Sequence, residues 1–293
     1  MKEFAGRTAF ITGGASGIGF GMAQAFLERG MQVVIADLLQ DHLDEARELL
    51  RGDNRVHLIQ LNVTDRAAMA AAAAETKRIF GNVHVLCNNV GVSQRNPIDE
   101  ASYEDWDYVI DVNLGGTVNG LVSFLADMKA HGEGGHVVNT SSMAGMIPVP
   151  AFAGIYATTK FAVRGMTDAL RLALGPYKIG ASVLCPGMVK TRAMTGGPLY
   201  RETHTSGAQP SEKKDPIANG MDPLEVGRLV VKAIENNEPY IFPHGEFIPE
   251  VTEYFNEMLA AFPTEFEMDE VRKAGEERRA KMTADAKAVA DAL

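Results

Sequence analysis

Thr8-Ala9-Phe10-Ile11-Thr12-Gly13-Gly14-Ala15-Ser16-Gly17-Ile18-Gly19 decides the fold of this chain. A short apolar run empties into a glycine-rich turn, and a helical pattern, Gly17–Arg29, follows at once. Gly13, Gly17 and Gly19 allow a tight turn and a close backbone approach to a pyrophosphate, which the helix N-terminus then stabilises. A glycine-rich turn by itself is a weak signal, and an ordinary βα connection is the plain alternative. Its position between a strand and a helix is what gives it weight.

Working outward, short β-rich runs alternate with helical patterns as far as about residue 243. The strands are expected at Thr8–Thr12, Gln32–Ala36, Val56–Leu61, Val83–Asn88, His136–Thr140, Ala181–Cys185 and Tyr240–Phe242. Their apolar character is continuous, as parallel strands covered on both faces require. Helices are expected at Gly17–Arg29, Asp41–Leu50, Arg66–Phe80, Tyr103–Ala130, Ile155–Gly175 and Pro223–Asn236. This alternation predicts an α/β fold, a Rossmann-type doubly wound parallel sheet of about seven strands, with ligands at the strands' carboxyl ends. Residues 1–245 are read as one dinucleotide-binding and catalytic domain. Within it, residues 192–222, rich in Gly, Pro, Ser, Thr and Lys, are read as a mobile substrate lid. Residues 246–293 form a helical C-terminal extension, which could pack on its own domain, swap onto a partner subunit, or fray.

Composition narrows the classes. With 46% hydrophobic and 23% charged residues, the chain has an ordinary globular balance. Its net charge of −10 argues against a nucleic-acid partner. No apolar run approaches the roughly 20 residues that cross a bilayer, so no membrane association is expected. The only cysteines, Cys87 and Cys185, lie in or at the end of apolar segments, which fits buried thiols and a reducing cytoplasm. His136 and His244 flank strands singly, with no metal-ligand spacing, and are read as structural. Tyr103, Trp106 and Tyr108 are read as packing residues, and Met143, Met146, Met188 and Met194 as pocket lining or core filling.

Two further features carry chemistry. Asp37 ends the second strand, 18 residues after Gly19. A carboxylate there accepts hydrogen bonds from an adenosine ribose diol and repels a 2′-phosphate, while Ala15, Ser16 and Leu38 offer no cation; NAD is favoured over NADP. Asp37 as a plain turn residue is the alternative. Tyr156 and Lys160 stand four residues apart, on one face of a helix, a spacing that by itself more often marks a solvated face. An ammonium beside a phenol lowers the phenol's pKa and makes it a proton carrier near neutral pH.

Together these residues resemble the short-chain dehydrogenase/reductase family, in the same order along about 1–245. Asn62-Val63 stands where the family usually has Asp-Val beside the adenine. Asn88-Asn89-Val90-Gly91 resembles the family's Asn-Asn-Ala-Gly turn, which lines the cofactor, and Pro186-Gly187-Met188-Val189-Lys190-Thr191 resembles the segment that closes on the nicotinamide carboxamide. The resemblance implies a catalytic set of Asn113, Ser142, Tyr156 and Lys160, and no metal. The cofactor contacts it implies fall on Gly13, Ser16, Gly17, Ile18, Gly19, Asp37, Asn62, Val63, Asn89, Gly91, Tyr156, Lys160, Pro186, Gly187, Val189 and Thr191. The interval from Ser142 to Tyr156 is 14 residues, one more than the family's usual spacing, so Ser141 stays open as the catalytic serine.

What the resemblance implies for function is hydride transfer between NAD and a small-molecule secondary alcohol or ketone. Tyr156 would move the proton, Lys160 would stabilise the phenolate, Ser142 would hold the reacting oxygen, and Asn113 would seat a relay water. Gly17-Ile18-Gly19-Phe20-Gly21, Gln40–Arg47, Gly134–Thr140, Ile155–Thr158 and the tail after His244-Gly245 further resemble a bacterial subgroup. Its members are Cα-dehydrogenases acting on lignin-derived β-aryl ethers. An NADPH-dependent carbonyl reductase and a non-catalytic NAD-binding sensor are the competing readings. Relatives pair through their two long helices, so a homodimer or homotetramer is expected.

Overall fold

The computed structural model describes residues 1–93, 96–191 and 219–293. Seven strands form one all-parallel sheet in the order β3-β2-β1-β4-β5-β6-β7. They are β1 (Thr8–Thr12), β2 (Gln32–Asp37), β3 (Val56–Gln60), β4 (Val83–Asn88), β5 (Gly135–Thr140), β6 (Ile179–Leu184) and β7 (Tyr240–Ile241). Each expected strand is present, with its ends displaced by no more than two residues. In β1, β4, β5 and β6 every residue is buried, the result of covering both faces of the sheet. His136 lies inside β5, not before it.

Nine helices are described: α1 (Gly17–Glu28), α2 (Gln40–Leu49), α3 (Arg66–Phe80), α4 (Tyr103–Ile110), α5 (Gly116–Ala130), α6 (Gly154–Leu174), α7 (Pro223–Asn236), α8 (Ile248–Ala260) and α9 (Glu270–Asp291). Helices α1, α2 and α7 contribute Met22, Phe26, Leu43 and Val230 to the core on one face. Helices α3, α5 and α6 contribute Met69, Phe124 and Leu174 on the other. After β3 the chain crosses to the far side of β1 to lay down β4. The carboxyl ends of β1 and β4 therefore open a crevice at the point where the winding reverses, where this architecture takes its ligands.

The single helix expected over Tyr103–Ala130 is interrupted. A π turn, Asp111–Gly115, separates α4 from α5 and contains Asn113. Such turns insert one residue into the helical ladder and are frequent at functional sites. The interrupted segment is, by length and composition, apolar enough to cross a membrane, contrary to the expectation that none is. It packs on the sheet as a core helix does, through Val112, Leu121, Phe124 and Met128.

The expected lid lies outside the described residues as far as 218. Beyond it, Met221 rejoins the chain in a parallel bridge with Val189, and Asp222 caps α7 by accepting from the Leu224 amide at 2.8 Å. The C-terminal extension is two helices. Val251, Tyr254 and Phe255 of α8 pack over Met143, Met146 and Ile147. Helix α9 touches the body near its C-terminal end, where Ala290 is buried beside Gly175.

Candidate active site

The glycine turn is a cradle that side chains would fill. Gly13 and Gly17 have φ of +62° and +50°, conformations costly for other residues. A Cβ on Gly19 would lie 2.0 Å from the Gly13 carbonyl oxygen. Ser16 caps α1 in extended conformation without a side-chain cap bond, and the first turn of α1 carries no acidic residue. Its first-turn amides have no acidic residue of their own turn to bind, which fits a pyrophosphate. Ile18 turns the other way and packs on the core.

The neighbouring strand ends complete the crevice. Asp37 is buried at the end of β2, where its carboxylate accepts from the Ala15 amide at 3.3 Å and the Leu39 amide at 3.2 Å. His42 Nδ1 stands 3.8 Å from the same carboxylate, a neighbour not considered beside Ala15, Ser16 and Leu38. Asn62 turns inward to accept from Thr64. Val63 packs so closely that a Cβ on Gly116 would meet its Cγ2 at 2.7 Å. Asn89 ties three strands together: its amide nitrogens donate to Thr12 and Gly13, and its Oδ1 accepts from Thr140. The Pro186–Thr191 segment folds back onto the turn, with Thr191 carbons within 3.0 Å of where a Gly17 Cβ would sit.

Beside this cradle the four expected polar residues come together. Lys160 is almost wholly buried, and its Nζ donates to the Thr140 carbonyl at 2.9 Å and lies 5.4 Å from the centroid of the Tyr156 ring. Ser142 is half-buried; its Oγ accepts from the Ala144 amide at 3.1 Å, and its hydroxyl hydrogen-bonds the Tyr156 phenol. Ser141 points elsewhere, donating to the Lys160 carbonyl at 2.8 Å. That leaves Ser142 as the serine at the phenol, and the longer Ser142–Tyr156 interval is absorbed by two short 3-10 turns.

Asn113 is fully buried. Its Oδ1 accepts from the Val92 amide at 2.8 Å, and its Nδ2 donates to the Val92 carbonyl and to Thr159 Oγ1, each at 3.0 Å. The side chain thus fastens the loop after β4 to α6 and does not reach toward Lys160 with a donor. Asn113 Oδ1 and Lys160 Nζ nevertheless flank the same point beside Gly91, at 3.7 and 3.0 Å from where a Cβ on that glycine would sit.

Electrostatics correct one expectation. Burial pushes the Tyr156 phenol up, opposed by the Ser142 hydrogen bond, and Lys160 does not bring it down. The reason is that burial also holds Lys160 down at about 8, and its ammonium hydrogen-bonds a carbonyl, not the phenol.

One residue read as merely structural has a more specific place. The buried His244 accepts from the Gly187 amide through Nδ1 at 3.0 Å, and its Nε2 meets the Met188 carbonyl at 3.0 Å. Those two bonds require the neutral ring protonated on Nε2. His244 therefore clamps the Pro186–Thr191 segment from behind. His136, by contrast, is sealed in the core against Ser182, where burial takes it down to about 3. Met143 and Met146 are buried with Cys185, Met188 is exposed, and Met194 lies outside the described residues. No cluster of His, Cys, Asp or Glu able to hold a metal occurs among the described residues.

A doubly wound sheet with a glycine cradle at its switch point, and a buried tyrosine–lysine–serine group beside it, defines a dinucleotide-dependent oxidoreductase. The sequence profile of the short chain dehydrogenase family matches residues 7–197, and the chain belongs to that family, whose members use nicotinamide cofactors. The chain is 35% identical over 269 residues to the C alpha-dehydrogenase of Sphingobium sp. strain SYK-6, covering 88% of this chain and 87% of that one. A short-chain dehydrogenase structure from Novosphingobium aromaticivorans is 38% identical, with a TM-score of 0.84 over 98% of this chain and 99% of that one. A Burkholderia phymatum short-chain dehydrogenase in complex with NAD is 30% identical, with a TM-score of 0.83 over 92% of this chain and 100% of that one.

Proposed function

We propose that this protein is an NAD-dependent dehydrogenase that interconverts an uncharged secondary alcohol, benzylic in type, with its ketone. The observation that carries the reading is the meeting of Lys160, Tyr156 and Ser142 with the glycine cradle at the sheet's carboxyl edge. Bound NAD supplies the hydride acceptor. The Ser142 hydroxyl holds the reacting oxygen in place. Tyr156 takes the hydroxyl proton as the carbon gives up hydride, with the Lys160 ammonium 5.4 Å from the centre of its ring. Because burial keeps the phenol high in the free protein, Tyr156 becomes a useful base only when further positive charge joins Lys160. Activation is thereby tied to binding of the oxidised cofactor. Asn113 keeps the loop after β4 and helix α6 in register around this group.

Asp37 supports NAD, since a 2′-phosphate would meet its carboxylate. The apolar cluster Met143, Met146, Ile147, Phe247, Val251, Tyr254 and Phe255 beside the site supports an uncharged, bulky substrate. The similarity to a C alpha-dehydrogenase supports the benzylic assignment. Pairing into a homodimer or homotetramer is supported by the exposed Ile110, Val118 and Val122 along α4 and α5.

The test is nicotinamide reduction with a β-aryl ether benzylic alcohol, an aliphatic secondary alcohol and a hydroxysteroid, each with NAD and NADP. We expect the benzylic alcohol with NAD to give the highest kcat/KM, and Asp37→Ala to narrow the NAD preference by roughly tenfold, about 1.4 kcal/mol. Turnover with NADP alone would overturn the cofactor reading, and indifference to the aryl group would overturn the substrate reading.

A further inference from the structure

Helix α9 is 22 residues long, yet within it Ala290 is the only buried residue. Its anchor is local to that end. The Ala290 carbonyl accepts from Asn237 Nδ2 at 2.8 Å, and Asp291 pairs with Arg171 at 3.0 Å. Upstream, residues 271–285 are all exposed. A helix in a folded protein draws most of its stability from packing an apolar face, and α9 has such a face without a partner among the described residues. Val271, Met282 and Val289 are 85%, 68% and 46% exposed, and steps of 11 and 7 residues put them on one stripe. Just before them, Leu259, Phe262, Phe266 and Met268 are exposed as well.

Charge indicates what covers it. Residues 246–269 contain seven acidic residues (Glu246, Glu250, Glu253, Glu257, Glu265, Glu267, Asp269) and no basic one. Helix α9 contains six basic residues (Arg272, Lys273, Arg278, Arg279, Lys281, Lys287) against five acidic ones (Glu270, Glu276, Glu277, Asp285, Asp291), and because Glu270 and Asp291 sit at its two ends the stretch between them, 271–288, is basic on balance. Each segment joins apolar residues to a charge of the opposite sign, so each supplies what the other lacks. A contact in which one copy's basic helix meets another's acidic one is self-complementary under two-fold symmetry.

We infer that α9 is an exchanged arm that lies, in the assembled protein, across α8 and the following segment of a second copy of this chain. The apolar stripe supplies the affinity, and the opposite charges set the orientation. Since α8 packs over Met143, Met146 and Ile147 on its inner side, the arm of one copy braces the roof of the other's pocket.

Two sets of exposed substitutions test this in the full-length protein. One reverses the arm (Arg272→Glu, Lys273→Glu, Arg278→Glu, Arg279→Glu), and the other reverses its seat (Glu250→Lys, Glu253→Lys, Glu257→Lys). Hydrogen exchange of amides 271–288 and mass by sedimentation are read for each variant and for their equimolar mixture. In the mixture both seats find an arm of opposite charge again. We expect the native arm to be protected in an oligomer, each variant alone to lose at least tenfold of that protection, and the mixture to regain it. A native protein sedimenting as a monomer, or an arm exchanging equally fast in the native protein and the variants, overturns the inference. So does a mixture that stays unprotected, or protection that arises only when lipid vesicles or an unrelated protein is added. No turnover enters these measurements, so they stand apart from the proposed reaction.

Discussion

The sheet's carboxyl edge and the C-terminal arm are opposite solutions to burying polar groups. At the edge, Lys160, Asn113, Asn89 and Asp37 are held by hydrogen bonds from backbone and side chains within one copy. Along the arm, Arg279 pairs with Glu276 and Lys281 with Asp285 on the same helix, in contact with solvent. The first region resists change because each group has a partner and no water to replace it. The second accepts change because its pairs are exposed and each contributes little. Function needs the first kind of order wherever a proton must move between named atoms, and assembly can use the second.

The largest expected effect is at the edge. Tyr156→Phe removes one oxygen and leaves the ring in place, so the cradle keeps its shape. Turnover should fall by roughly 10³-fold or more, in line with loss of a positioned proton carrier, while dinucleotide affinity changes by less than about threefold. Titration of cofactor fluorescence beside a steady-state assay separates the two. Substantial residual turnover would remove Tyr156 from its assigned place.

Next is Lys160→Met, whose two consequences have opposite signs. Turnover should fall by roughly 10²-fold, with the pH profile of alcohol oxidation displaced to higher pH. Stability should rise. Lys160 is held at about 8, below its ordinary value of 10.5. Folding therefore works against its charge while it is protonated in the unfolded chain. That penalty is complete below pH 8 and fades as pH rises to about 10.5, and at its fullest it is about 3 kcal/mol. Thermal unfolding of the two proteins from pH 6 to 10.5 should show the variant ahead at the acid end and the curves converging at the alkaline end. A gap independent of pH would mean that packing, not charge, separates them.

How much of this was legible in the sequence differs between the same two regions. The strands, the glycine cradle and the Tyr156–Lys160 pair could be read because each depends on local pattern: apolar runs, glycine spacing, and four-residue helical separation. The π turn at Asp111–Gly115 could not, because one inserted residue hardly disturbs helical periodicity. The rise in the Tyr156 pKa escaped for another reason. Spacing shows that a cation is near, but burial is set by the whole domain, and here burial outweighs it. The clamp by His244 depends on β7 ending beside the chain after β6, a meeting across 57 residues that no motif announces. The helical character of residues 246–293 could be read, but not its division into α8 and α9. The solvent exposure of α9 could not be read because helical pattern alone does not say what a helix packs against.

His244 sharpens the contrast from the edge. His244→Phe removes the acceptor for the Gly187 amide and the group that meets the Met188 carbonyl, both in a loop that closes the crevice. We expect kcat/KM to fall by roughly tenfold, mostly through weaker cofactor binding. His244→Gln, able to donate and accept, should recover part of the loss. Equal losses in both variants, with cofactor affinity untouched, would return His244 to a purely structural place.

The smallest effect is expected where the two regions join. Asp291 pairs with the buried Arg171, but Asp291 itself is 47% exposed, and Arg171 also donates to the Ala181 carbonyl and to Asn237. Asp291→Asn keeps the shape and removes the charge. The arm's anchor should hold through the Asn237–Ala290 hydrogen bond and the contact of Ala290 with Gly175. Stability should fall by about 1 kcal/mol or less, read as a small drop in Tm, with turnover unchanged. A larger loss would mean that the Arg171 guanidinium depends on this one carboxylate. Its charge would then be the true joint between domain and arm, and the division between a satisfied edge and a tolerant arm would run through α9 itself, not at its foot.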